Sequence, residues 1–322
     1  MTLRLNFGLI MDNKQTSWAS SSPPTTVLLS GTGLQVLMEL GCLTALNSNI
    51  NLTQVQVWIG TSTSAILALL FTCGYSVQEV LDRVLPAIQE KKLTDLGTMT
   101  QVLLGDGFIS STVVKTWLVE QVLSRCGSVP TLKGLYLQTG KTFGCTTLST
   151  IGLQLMTWQT DPQLSCVEAC MRAINIPYLA HPQLAYTDAL LALPSPVEYF
   201  DDGVTPVLNI MSSSDAQVMM TFNNNVVFLQ EESNSLTIAL QSLISLIKSR
   251  QADCIDRTTT AVRHLLLTSN LGPMRDLIPR TNPDYSDVGS LLASGFCIGW
   301  KNCTEGYQEP ELAGPVAFKY EV

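Results

Sequence analysis

The chain has 322 residues, a formal net charge of −8 with 18 Lys and Arg against 26 Asp and Glu, and only 14% charged residues. So few cations provide no positive stripe to neutralise phosphates, which excludes nucleic acid as an expected partner. Average soluble domains carry about 25% charge, so this surface is polar but weakly charged, whether through an unusual host composition or through cover by a membrane, other subunits or a particle. Nine cysteines, an odd number over a long chain, predict reduced and mostly buried thiols rather than the disulfide framework of a small secreted domain.

Residues 1–24 end in Ser17-Trp18-Ala19-Ser20-Ser21-Ser22-Pro23-Pro24 and read as a flexible arm. They lack a charged segment followed by an apolar one and a small-residue cleavage site, so no signal peptide is expected. The longest apolar stretch, residues 65–71, falls far short of the ~20 residues that span a bilayer. The expectation is a cytoplasmic, intracellular protein, with peripheral membrane or particle association left open. A domain over residues 25–322 is expected, with a helical C-terminal portion from about residue 236.

Residues 25–29 form a β-rich run, Ser30-Gly31-Thr32-Gly33 a glycine turn, and residues 34–46 a helix. The same grammar follows at once: a strand over 55–59, a turn over Gly60-Thr61-Ser62-Thr63-Ser64, and a helix over 65–73 closed by Gly74. Two successive strand-turn-helix units imply a parallel sheet wrapped by helices. Residues 111–123 and 167–174 read as helices, 141–158 as a pair of β-rich runs, and 238–247 and 258–267 as further helices. The fold class is therefore α/β.

Three segments carry chemistry. A serine hydroxyl becomes a nucleophile when a strained strand-to-helix turn exposes it beside a base and backbone N–H donors. Ser62 stands in such a turn, with the small Gly60 two residues before it and Ser64 two after; the same segment also reads as a Ser/Thr helix cap. The glycine turn at Gly31, Thr32 and Gly33 aims backbone N–H groups at one point and suits an oxyanion. It lacks the Gly-Lys-Ser/Thr ending of a phosphate loop and the third glycine of a dinucleotide fingerprint, where Val36 stands. Phe200-Asp201-Asp202-Gly203 reads either as a plain turn or as a base, Asp202, whose pKa the adjacent Asp201 would raise. Cys166 and Cys170 share a helix face without zinc-site spacing and read as core thiols.

The order and setting of these segments resemble the patatin-like phospholipase family. Its G-G-G-x-[KR]-G turn corresponds to Gly31-Thr32-Gly33-Leu34-Gln35-Val36, its G-x-S-x-G elbow to Gly60 through Ser64, and its D-G-[GA] motif to Asp202-Gly203-Val204. Glu168-Ala169 through Ile176-Pro177, then Pro182, looks like the family's helix running into an Ile-Pro turn ahead of the aspartate. Leu132-Lys133-Gly134-Leu135-Tyr136 through Lys141-Thr142 looks like its central strand region. The resemblance implies a three-layer fold with a mainly parallel central sheet flanked by helices. It implies a Ser62-Asp202 dyad, an oxyanion hole at Gly31 to Gly33, and hydrolysis of a phospholipid or other acyl lipid through an acyl-enzyme, without metal or cofactor. His264, placed on a predicted helix, offers a triad in the order Ser62, Asp202, His264.

Thr32, Gln35, Val36, Ser64 and Val204 depart from the family pattern. A β-branched residue disfavours positive φ, and losing one oxyanion donor costs about 10²–10³ in rate. A catalytically weakened or inactive patatin-fold protein, acting as a component of an oligomer, assembly or particle, is therefore the second reading.

Overall fold

The computed structural model describes residues 23–31, 33–89, 111–175, 186–189, 195–214, 253–259, 261–269 and 285–305. The N-terminal arm up to residue 22 and the predicted helix over 238–247 lie outside them. Strand β1 (Thr26–Ser30) is buried at all five positions, as a strand covered on both faces must be. A 3₁₀ turn (Gly33–Gln35) leads into helix α1 (Val36–Leu46), and strand β2 (Val57–Thr61) into helix α2 (Ser64–Thr72), buried along its whole length. Helix α3 (Val77–Gln89), which contains Pro86, has no counterpart among the predicted elements. Its start is nevertheless encoded: Ser76 Oγ accepts the Glu79 N–H, and Glu79 Oε2 accepts the Ser76 N–H, the reciprocal capping of a helix N-terminus.

Helices α4 (Ser111–Cys126) and α5 (Leu132–Thr139) precede the antiparallel pair β3 (Thr142–Ser149) and β4 (Gly152–Thr157). The Leu132 to Tyr136 segment, expected in the central strand region, is helical instead. Thr131 Oγ1 accepts the Gly134 N–H at its start, and Gly140, at φ 70, closes its end. Helix α6 (Cys166–Ala173), the short strand β5 (Tyr186–Asp188), strands β6 (Val207–Ser214) and β7 (Val262–Ser269) and helix α7 (Tyr285–Glu305) follow.

The sheet order is β4-β3-β2-β1-β6-β7, with β5 also paired to β3. Strands β3, β2, β1, β6 and β7 are parallel, and β4 and β5 run against them. Side chains alternate across it: Val27, Leu29, Trp58, Leu208 and Ile210 join one core with all seven helices. Leu28, Ile59, Val207 and Val262 face the other way, onto Val197 and Cys254. Among the described residues no helix is long and apolar enough to cross a membrane. All nine cysteines are free, and all but Cys126 and Cys297 are buried.

β7 replaces most of the helix predicted over 258–267. Short apolar runs fit either period, and eight paired positions along β6 decide for strand. α7 crosses α1 so closely that a Cβ on Gly295 would lie 1.9 Å from the Met38 carbonyl oxygen, and one on Gly41 2.1 Å from that of Leu292. Gly289, on the same helix, has nothing within 4 Å.

Gly295→Ala should therefore destabilise the protein by an amount at or above the upper end of the ~1–3 kcal/mol typical of overpacking. Gly289→Ala should be neutral or stabilising by a few tenths of a kcal/mol to ~1 kcal/mol. Denaturant unfolding of the two variants checks the contrast; equal stabilities would contradict the close crossing.

Candidate active site at the C-terminal edge of the sheet

Ser62 follows the last residue of β2 and has φ 58, the only non-glycine residue at positive φ among those described. Such a conformation costs on the order of 1–3 kcal/mol and persists where its surroundings over-determine it. Those surroundings are visible in the turn from β2 into α2. A Cβ on Gly60 would lie 2.3 Å from the Ala65 Cα and 2.4 Å from its nitrogen, so only glycine lets α2 start this close to β2. The Ala65 N–H donates to the Ser62 carbonyl at 3.0 Å, closing the first turn of α2. Ser62 is fully buried, and among the described residues its Oγ has no hydrogen-bond partner. The segment is a strained strand-to-helix turn, and no side chain caps the start of α2.

The glycine turn after β1 packs against this elbow. Thr63 Oγ1 donates to the carbonyls of Gly31 and Gly33, at 2.9 and 3.1 Å. The Gly31 N–H donates to Ser64 Oγ at 2.5 Å, so this expected oxyanion donor is already engaged. A Cβ on Gly31 would lie 2.6 Å from Ser212 Oγ and 3.0 Å from Glu39 Cδ, which accounts for glycine there. Gly33 has φ 54. Thr32 lies outside the described residues, and Gln35 is buried.

Asp202 is not beside Ser62. It precedes β6, whose first residue, Val207, pairs with Thr26 at the start of β1, and Thr26 pairs with Val57 at the start of β2. Ser62 lies beyond the other end of β2, five residue steps from Val57, or on the order of 17 Å at the usual strand rise. The Asp202 carboxylate is exposed and accepts hydrogen bonds from the Thr205 hydroxyl and N–H and from the Val204 N–H. These bonds, led by the Thr205 hydroxyl, hold it down at about 2, where Asp201 had been expected to raise it. Asp201 is tied to the Thr259 N–H and hydroxyl, ahead of β7, and to the Gly203 N–H. Asp202 and Gly203 (φ 74) thus form a structural turn at the N-terminal edge of the sheet.

A different aspartate ends at the serine's edge. β4 occupies one edge of β3 along residues 144–149, so β2 and β5 share the other. β2 ends with Thr61 opposite Thr146, and the oppositely running β5 ends with Asp188 opposite Thr147, the next position. The two strands therefore point their C-terminal ends at one another, with Ser62 and Asp188 at the junction. Asp188 is buried. Its N–H donates to the Asn175 carbonyl at 2.8 Å, Asn175 Nδ2 to the Tyr186 carbonyl at 2.6 Å, and Thr147 Oγ1 to the Thr187 carbonyl at 2.9 Å. β5 is thereby tied to the end of α6 and to β3. The sequence signal was available: Asp188 is the first aspartate after Ile176-Pro177 and Pro182, and it ends a β-rich Tyr-Thr run. The Asp-Gly pair at 202 drew the assignment away.

His264 is excluded from a triad. It lies on β7, three strands from β2, opposite Asn209 in mid-strand. Thr258 Oγ1 donates to the Ile255 carbonyl and so accepts His264 Nε2–H at 2.6 Å, while Asn209 Nδ2 donates to Nδ1 at 3.0 Å and Asn209 Oδ1 accepts from Ser195 Oγ at 2.7 Å. This chain fixes a neutral imidazole, and burial lowers its pKa to about 4. Among the described residues no group of three His, Cys, Asp or Glu side chains could hold a metal ion.

A family model described as patatin-like phospholipase matches residues 27–205. Among solved structures, the chain is similar to ExoU of the Pseudomonas aeruginosa type III secretion system, at 14% identity over 88% of this chain and 53% of that one, with a TM-score of 0.43. It is also similar to VipD from Legionella pneumophila, at 13% identity over 85% of this chain and 68% of that one, with a TM-score of 0.41. The chain spans about half the length of ExoU. No curated protein sequence matches it.

Gly60→Ala should abolish native folding of the elbow and lower the unfolding midpoint sharply, because backbone rather than a flexible side chain blocks the Cβ. Circular dichroism and thermal melts check it, and a wild-type midpoint would contradict the elbow geometry. His264 gives a pH signature. Its folded pKa lies below the ordinary value of 6.5, so the unfolded chain binds the proton first and stability falls as pH drops from about 6.5 towards 4. The melting temperature of His264→Gln should fall less over that window than that of the wild type; parallel slopes would contradict a buried neutral histidine.

Proposed function

The chain belongs to the patatin-like phospholipase family, and on that premise we propose that it is a lipid acyl hydrolase whose nucleophile is Ser62 and whose base is Asp188, not Asp202. The observation that carries this reading is the register along β3, which brings the ends of β2 and β5 together at consecutive positions of one edge. In parallel α/β sheets ligands bind outside the carboxyl ends of the strands, and Ser62 and Asp188 both stand there, whereas Asp202 is at the opposite edge.

Asp188 takes the proton as Ser62 Oγ attacks the ester carbonyl of a phospholipid or other acyl lipid. The oxyanion of the tetrahedral intermediate is held by the N–H of Thr63, at the start of α2 beside the nucleophile, and by that of Gly33. Asp188 then gives its proton to the leaving alcohol, and water, deprotonated by the same carboxylate, releases the fatty acid from Ser62. No metal or cofactor takes part. The bond between Gly31 N–H and Ser64 Oγ favours slow turnover over fast, since that donor is lost to the oxyanion unless it shifts. A second reading, an inactive component of an assembly, draws on the same observation.

A fluorophosphonate probe should label Ser62 in the purified, folded chain, and the chain should release acid from p-nitrophenyl esters or phospholipid vesicles. Ser62→Ala should abolish both. Asp188→Asn should cost about 10²–10⁴-fold in kcat, the usual worth of a positioned base, while Asp202→Asn should stay within roughly three-fold of wild type, Asn Oδ1 still accepting the turn's N–H groups. An inactive Asp202→Asn beside an active Asp188→Asn would overturn the assignment. Absence of labelling in folded wild type would overturn the hydrolase and favour the assembly component.

A further inference from the structure

Glu39 is a carboxyl group that the mechanism above does not use. It lies in the first turn of α1 among Leu37, Met38 and Leu40, fully buried. A carboxyl is costly to bury unless something holds it, and its partner is Ser64, the residue standing where the family elbow has its last glycine. Ser64 Oγ accepts the Gly31 N–H at 2.5 Å and has a single proton to give. Glu39 Oε2 lies 2.5 Å from that hydroxyl and the Gly31 carbonyl 3.3 Å, so the proton goes to Glu39. The result is a directional chain, from Gly31 N–H to the Ser64 hydroxyl to the Glu39 carboxyl. It runs behind the glycine turn, while Thr63 Oγ1 grips the Gly31 and Gly33 carbonyls.

We propose that Glu39 is a positioning residue of this site: acting through Ser64, it holds the glycine turn in register with the nucleophile elbow and makes the site sensitive to alkaline pH. This rests on the hydrolase reading for its catalytic consequence, but not for its geometry. A glycine at position 64 could not make the bridge, so Ser64 and Glu39 form a matched pair in place of the usual elbow.

Burial raises the Glu39 carboxyl from 4.5 to about 8, against the opposing hydrogen bonds from Ser64 and the Ser30 backbone. Near neutral pH it is therefore a neutral acid. The groups around it from β1, α2 and β6 are Ser30, Ser64 and Ser212, none of which titrates. On its own helix it faces Cys42, with Cys303 of α7 behind, and burial pushes both thiols up so that they stay neutral. Of these described neighbours, raising the pH through about 8 thus ionises Glu39 and none of the others, setting a negative charge behind the turn where the oxyanion develops. In a site that excludes water such a charge opposes the oxyanion strongly.

The test compares wild type with Glu39→Gln, which keeps an acceptor for Ser64 but cannot ionise, and with Glu39→Ala. Two readouts are followed from pH 6 to 9.5: the rate of Ser62 labelling by a fluorophosphonate, and the amide chemical shift of Gly31. In wild type the rate should fall and the Gly31 shift should titrate, both with a midpoint near 8. In Glu39→Gln both should stay flat. Glu39→Ala should label about 10- to 100-fold more slowly, and Glu39→Ala with Ser64→Ala no more slowly still, as expected when two residues act as a unit. A Gly31 titration or labelling profile in Glu39→Gln that superposes on wild type would overturn the inference, and does so even if Glu39→Ala fails to fold. If wild type is not labelled at all, the hydrolase reading fails, and the Gly31 titration still decides the role of Glu39.

Discussion

Strand β3 has one edge to share between two strands. β4 holds the other along residues 144–149, so β2 must stop at Thr61 for β5 to carry its pairing down to Thr147. The arrangement has no slack: one more residue of ladder on either strand would drive the two chain ends into each other. β2 therefore breaks sharply into α2, which is why Gly60 has no room for a side chain and Ser62 takes the left-handed conformation. β5 ends on a buried aspartate tied through its N–H to Asn175. The strain at Ser62, the burial of Asp188 and the meeting of the two strand ends follow from a single register.

The remainder of the site is built to keep that junction rigid. The glycine turn after β1 is gripped on its carbonyls by Thr63 and on one N–H by Ser64, and Ser64 is held in turn by Glu39. α1, which carries Glu39, is pinned from outside by α7 through Gly41, Gly295 and Gly299, where a Cβ at any of the three would meet backbone of the other helix within 3.0 Å. A C-terminal helix far along the chain thus sets the depth of a carboxyl group beside the elbow. One departure from the family pattern then has a physical sense: Ser64 introduces a bridge, and Glu39 receives it.

Much of this was legible in the sequence where local signals and tertiary context agree. The two strand-turn-helix units around Gly31 and Gly60 declared the parallel sheet, and Ser62 stood out as the residue of the second turn. Reading failed where pairing partners decide. Residues 262–269 match a helix period as well as a strand's, and only β6 makes them a strand. Asp202 was chosen for its Asp-Gly pair, a feature of turns in general; no local cue says which end of the sheet a turn occupies. Asp188 lacks that glycine, yet it ends a short β run at the edge of the sheet where Ser62 stands. Glu39 was overlooked because a single acidic residue in an apolar helix does not announce its partner, which lies 25 residues away.

The measurement that bears most directly on the meeting of β2 and β5 is a crystal structure of the chain after reaction with a phosphonate ester. The adduct should sit on Ser62 Oγ, with an Asp188 carboxylate oxygen within hydrogen-bonding range, ~3 Å, of that atom and the phosphoryl oxygen facing the N–H groups of Gly33 and Thr63. An adduct on another residue, or one on Ser62 with Asp188 turned away and a different carboxylate in its place, would contradict the account.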